Sequence, residues 1–193
     1  MWALDEKDRD FDKFLNVPIP PQAENGFVMP YGDCPLDKDK VGEQVYIDML
    51  NRAQNYIYIM TPYLILDGEL ENALKYAAER GVDVRIILPG VPDKYIPFSL
   101  AFTHYKSLLE SGVRIFEYAP GFVHAKVFVC DDREAVVGTI NLDYRSLYHH
   151  FECATYMWGT YCIPDIKNDF NYTQGKCREV TADMLKKEPF KRR

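Results

Sequence analysis

Apolar positions along this chain follow two alternating periods. Val45, Met49, Leu50 and Ala53 fall on one face of a helix predicted over 41–53. The run YIYIMTPYLIL (Tyr56 to Leu66) is a strong strand that Pro62 should end. Leu70, Ala73, Leu74, Ala77 and Ala78 return to the helical period, with Asp67 placed to cap the start and Gly81 the end. VDVRIILPG reads as a strand, Tyr95 to Gly112 as a helix with Pro97 in its first turn, and VRIFEYAP as a strand again. Ahead of all these, GFVMPYG is a short strand broken by Pro30.

Three helix–strand steps in succession predict right-handed crossovers and an α/β fold, with a mixed, largely parallel sheet flanked by helices. The rhythm then changes. HAKVFVCDD, EAVVGTIN and ECATYMWG are strand-like, and the first two stand close enough for a hairpin. A helix is expected over DIKNDFNYTQGKCREV. The organisation is an arm or linker over 1–24, charged and then Pro-rich, one domain over 25–178, and a tail over 179–193 that ends in a basic run from Lys186.

Composition narrows the choice of class. With 193 residues, 47% of them hydrophobic, and 14 Tyr and 11 Phe, the chain is globular. A net charge of −6 counts against a protein that grips nucleic acid, although a small basic site can sit on an acidic body. The five cysteines are odd in number and lack C-x-x-C spacing, so they read as reduced thiols in a cytosolic setting. They share no ligand spacing with the four histidines, so no metal is expected. No window of eighteen apolar residues exists to span a membrane.

The chemistry concentrates in VHAKVFVCDDREAVVGTINLDYRS. On a strand, His124 and Lys126 project to one face about 7 Å apart, and Asp131 has the opposite parity, suited to supporting the structure behind. A nearby ammonium favours the neutral, nucleophilic form of an imidazole and attracts an anion such as phosphate. Gly138, Thr139 and Asn141 add a small residue, a hydroxyl and an amide, suited to holding phosphate oxygens. Such His/Lys pairs are more often inert and solvent-facing. Here Val127 and Val129 make one face apolar, and Phe128 and Cys130 make the other partly buried as well, so a histidine and lysine on it need a reason.

H-x-K-x4-D followed by G-[ST]-x-N resembles the signature of the phospholipase D superfamily, matched by His124, Lys126, Asp131, Gly138, Thr139 and Asn141. From about residue 25 to 177 the chain is also similar to the second half of bacterial cardiolipin synthases. That resemblance implies a site with neither metal nor cofactor. One histidine attacks a phosphodiester, a histidine from a second copy of the motif protonates the leaving alcohol, and the lysines and asparagines clamp the phosphate. His124 belongs to the later copy, which supplies the acid/base. Glu152, in HHFECA, matches the glutamate that orients the histidine. The implied reaction is phosphatidyl transfer, two phosphatidylglycerols giving cardiolipin and glycerol at the cytoplasmic face of the cell membrane.

Only one copy stands in this chain. His104 and Lys106 also read H-x-K, but Ser111 replaces the aspartate and the pair falls in a predicted helix, so it is set aside as a surface pair. Either the chain is the C-terminal domain of a longer, membrane-anchored synthase, or two chains pair to complete a site. The expected partners are phospholipid (phosphatidylglycerol, cardiolipin), a membrane surface and a second motif, with no nucleic acid. Two other readings stay open: a homodimeric phosphodiesterase or nuclease, and a non-catalytic domain that binds anionic lipid or phosphate. Arg145, His149 and His150 either meet lipid phosphate or decorate a surface loop. Tyr63 either lines the site or packs in the core. The basic tail either attracts anionic lipid, by about 1 kcal/mol per basic residue, or is simply solvated.

Overall fold

Tyr56–Met60 is buried at every position, the pattern of a strand covered on both faces. The structure, a computed structural model, describes residues 25–187 continuously and the isolated positions 12, 16 and 18. Its strands are β1 (Phe27–Asp33), β2 (Tyr56–Met60), β3 (Leu64–Ile65), β4 (Asp83–Pro89), β5 (Arg114–Tyr118), β6 (Val127–Cys130), β7 (Glu134–Gly138), β8 (Leu142–Asp143), β9 (Glu152–Trp158) and β10 (Cys177–Glu179). The helices are α1 (Val41–Arg52), α2 (Gly68–Glu79), α3 (Tyr95–Glu110), α4 (Tyr144–Tyr148), α5 (Ile163–Gln174) and α6 (Ala182–Lys187).

Eight strands form one sheet in the order β1-β9-β7-β6-β2-β4-β5-β10, and β3 pairs with β8 apart from it. The sheet is mixed and flanked by helices, as expected, but the balance differs from a largely parallel one. Within the large sheet, parallel pairing is confined to β2–β4 and β4–β5, the two steps with a helical crossover, and the separate β3–β8 pair is parallel too. All other neighbours in the large sheet are antiparallel, because β6, β7 and β9 follow one another through a hairpin and a short excursion.

One sheet face is covered by α1, α2 and α3 through Tyr46, Leu50, Leu70, Leu74 and Leu108, against Ile57, Ile59, Ile86 and Phe128. The other is covered by α5 through Ile163 and Phe170, against Tyr58, Met60, Val127 and Val129. Both faces of β6 are therefore apolar and buried, as its sequence implies. Asp67 caps α2 by accepting from the Leu70 amide at 2.8 Å, and Gly81 ends it at φ +94°.

Several elements differ from the pattern-based expectation. β1 runs through Pro30, which an edge strand tolerates because one row of its N–H groups points away from the sheet. The helix over 165–180 ends at Gln174, and the chain returns as β10 along β5. Val180 is buried beyond that strand, so the folded part extends past 178. The arm over 1–24, apart from its isolated positions, and residues 188–193 of the tail lie outside the described residues.

Candidate functional site

The C-terminal ends of β2, β4 and β5 point the same way, and antiparallel β6 starts where β2 ends, with Met60 opposite Val127. The start of β6, the end of β7 and the start of β9 thus meet at that sheet end, the usual place for a site in such a sheet. His124, Lys126, Gly138, Thr139 and Glu152 all sit there, although His124 and Lys126 precede the strand in an irregular stretch.

The His124 ring is exposed and stacks beside Phe122, with centroids 5.7 Å apart, and Phe122 lies 6.2 Å from Tyr63. Lys126 is buried, and its ammonium donates to the carbonyl of His124 at 2.8 Å. Burial pushes the Lys126 ammonium below its ordinary value, while Glu152 and Asp143 act to raise it. The Gly138 amide donates to the Lys126 carbonyl at 3.2 Å, which brings the Gly-Thr-Ile-Asn segment beside the lysine. A β-carbon on Gly138 would collide with Ala154 and stand 2.5 Å from the Cys153 carbonyl. Close approach of β7 to β9 is therefore a structural reason for this glycine.

Thr139 donates to the Glu152 carboxylate and accepts from the Cys153 amide at 3.0 Å. His150 lies 3.8 Å from the other Glu152 oxygen, and no hydrogen bond reaches the His124 ring among the described residues. Asn141 donates to the Ser146 hydroxyl at 2.9 Å, while its own amide oxygen is buried without a donor. Arg145, His149 and His150 are exposed, and Arg145 sits on a short helix, not in a loop.

Asp131 lies away from this cluster, past the other end of β6 and in the turn to β7, so its placement comes from that turn and not from strand parity. Its carboxylate accepts from the backbone amides of Gln54 at 2.7 Å, Asn55 at 2.8 Å and Tyr56 at 2.9 Å, tying the β6–β7 turn to the loop before β2. Burial works to raise its pKa, but these three donors win and hold the carboxyl below its ordinary value.

Residues outside the motif hold it in place. Tyr46, fully buried, stacks on Phe128 at 3.9 Å and donates to the Ile140 carbonyl at 2.9 Å, fixing the segment that carries Asn141. Asp143 caps α4 by accepting from the Ser146 amide at 2.9 Å. Asp-x-x-Ser before a helical turn was a readable capping signal for α4, whereas nothing in the sequence pointed to Tyr46 or Phe122. Tyr63 donates to Asp93 at 2.7 Å, and burial and that bond push its hydroxyl up to about 12. His104 is half-buried on α3, held by Glu71 at 2.8 Å and by the Leu66 amide at 3.3 Å, while Lys106 points to solvent. It serves the packing of α2 against α3.

The fold is that of a phospholipase D-type domain. The structure overlays Nuc, a phospholipase D family member from Salmonella typhimurium, with a TM-score of 0.69 and 16% identity, over 81% of this chain and 99% of that one. It overlays Haemophilus influenzae phosphatidylserine synthase with a TM-score of 0.64 and 20% identity, over 79% of this chain and 40% of that one. Residues 46–173 match the family model for cardiolipin synthase, PLD-like domain, and the chain belongs to that family. A cardiolipin synthase from Alkalihalophilus pseudofirmus is 34% identical over 92% of this chain, and an uncharacterized protein from Streptococcus mutans is 61% identical over 97%. The chain spans 35% and 41% of the length of those two relatives.

Proposed function

We propose that this domain supplies the acid/base half-site of a phosphatidyltransferase, converting two phosphatidylglycerols to cardiolipin and glycerol. The observation that carries the reading is the convergence of His124, buried Lys126 and the Thr139–Asn141 segment at one sheet end, in a chain of the cardiolipin synthase family.

A histidine from a second motif attacks phosphorus, forming an N–P bond as the P–O bond to glycerol breaks. His124 gives the leaving oxygen its proton. The imidazole, now neutral, takes the proton of a hydroxyl on the second phosphatidylglycerol, whose oxygen attacks phosphorus and releases the first histidine. The Lys126 ammonium, the Thr139 hydroxyl and the Asn141 amide hold the phosphate oxygens, and Arg145 stands at the rim for a headgroup. Turning the Asn141 amide over would let Ser146 donate to its oxygen and direct its NH2 to phosphate. A phosphate that draws the Thr139 hydroxyl away frees the Glu152 carboxylate for the far nitrogen of His124.

The test is glycerol release from phosphatidylglycerol. The second half-site comes from self-association, or from a cardiolipin synthase relative whose own matching histidine is replaced. His124→Ala should lower release by about 10³-fold with the fold intact. Release that survives this change, or no release from either pairing, overturns the reading.

A further inference from the structure

Residues 91–100, the loop after β4 and the first turns of α3, expose Val91, Tyr95, Ile96 and Leu100 at 51%, 62%, 73% and 42%. Isolated apolar residues on a surface need no explanation, but four within one short segment do. Ile96 and Leu100 stand four apart and share a helix face. The segment leaves the same sheet end as the His124 loop, and the Gly90 amide donates to the Tyr118 carbonyl at 2.9 Å, where that loop begins. Within the same segment, Lys94, Pro97 and Phe98 line a narrow cleft together with Tyr63 and Phe122. Phe122 is also the ring beside His124, so one aromatic side chain links the histidine to the cleft that the patch residues flank.

Charge adds a second feature. Lys94 is the N-cap of α3 and makes no side-chain cap, and the first turn holds no acidic residue. The positive end of the helix and the exposed lysine therefore face solvent beside the apolar side chains. Asp93 is the neighbouring carboxylate, and Tyr63 donates to it. The four side chains expose a few hundred Å², short of the ~800 Å² per partner typical of a stable protein pair. Aliphatic tips, a tyrosine, a lysine and an uncapped helix end suit the boundary between acyl chains and anionic headgroups.

We infer that residues 91–100 are the surface by which this domain docks on a bilayer containing anionic phospholipid. Ile96 and Leu100 enter the acyl layer, Tyr95 and Lys94 lie at the headgroups, and the Tyr63–Phe122 wall leads a lipid phosphate to His124. Only this last step rests on the proposed function.

The test is co-sedimentation of the chain with phosphatidylcholine vesicles containing phosphatidylglycerol. The double variant Ile96→Glu with Leu100→Glu should lower the vesicle-bound fraction by about tenfold or more, with an unchanged melting curve. Tyr172→Glu, on α5 across the sheet, should bind as the unaltered chain does. His124→Ala should keep vesicle binding, and the double variant, given the same second half-site as the unaltered chain, should keep turnover of a soluble short-chain phosphodiester, so failure of docking and failure of the chemistry are read separately. Equal vesicle binding by the double variant overturns the inference. So does a paired chain, seen by light scattering, that the same variant separates, since the patch would then lie between copies.

Discussion

Asp131 stands in the signature yet acts through the backbone. Three amides, those of Gln54 and Asn55 before β2 and of Tyr56 at its start, converge on its carboxylate, and it and Asp132 adopt φ of +51° and +55° in the hairpin turn. Asp131→Ala leaves those amides without their acceptor and should cost about 2 kcal/mol in urea unfolding. Because its folded pKa lies below the ordinary 3.8, the contribution is complete at neutral pH and fades as pH falls through the folded value. Asp131→Asn should therefore flatten the acid limb of a stability–pH curve, and an unaltered limb would remove the carboxylate from this role. Strand parity suggested a supporting role for Asp131, but its place follows from the hairpin turn beyond β6, since His124, Lys126 and Asp131 all lie outside the regular strand. Parity could not show that Gly138 packs against β9, because that contact joins segments far apart in sequence.

At the scale of elements, α4 is the piece most closely coupled to the site. It carries Ser146, the partner of Asn141, and it ends at Tyr148, whose hydroxyl lies 3.0 Å from Glu43 on α1 and in close contact with Asp67, the cap of α2. Lys40 lies over the Tyr148 ring at 4.1 Å. Burial, aided by the bond to Asp67, raises Glu43 from 4.5 to about 7, so this carboxyl holds its proton in the fold well after the unfolded chain would lose it. Its stabilising effect is complete below 4.5 and is lost as pH rises through about 7. Glu43→Gln should reduce the fall in melting temperature between pH 5 and pH 8, and an identical fall would contradict the assignment. The long periodic helices and the central strands were legible in sequence because burial imposes their period. The five residues of α4 and the three of β10 are too short to show one, and tertiary pairing determines them.

Across the whole molecule, the mixed sheet turns a linear motif into a surface. β6 leaves the site end antiparallel to β2, β7 returns to it, and β9 starts from it, so the segments at 124–126, 138–141 and 152 meet at one end of the sheet. The spacing of the motif was readable in the sequence. The support from Tyr46 and the apolar wall through Phe122 and Tyr63 depend on packing, and only the fold displays them. The central claim is that His124, Lys126 and Asn141 form a single phosphate site. Its most direct test follows the ring resonances of His124 by NMR as inorganic phosphate is added to the chain. A saturable shift that Lys126→Ala abolishes is the predicted result. A ring that does not respond to phosphate, or that responds equally in Lys126→Ala, would contradict the account.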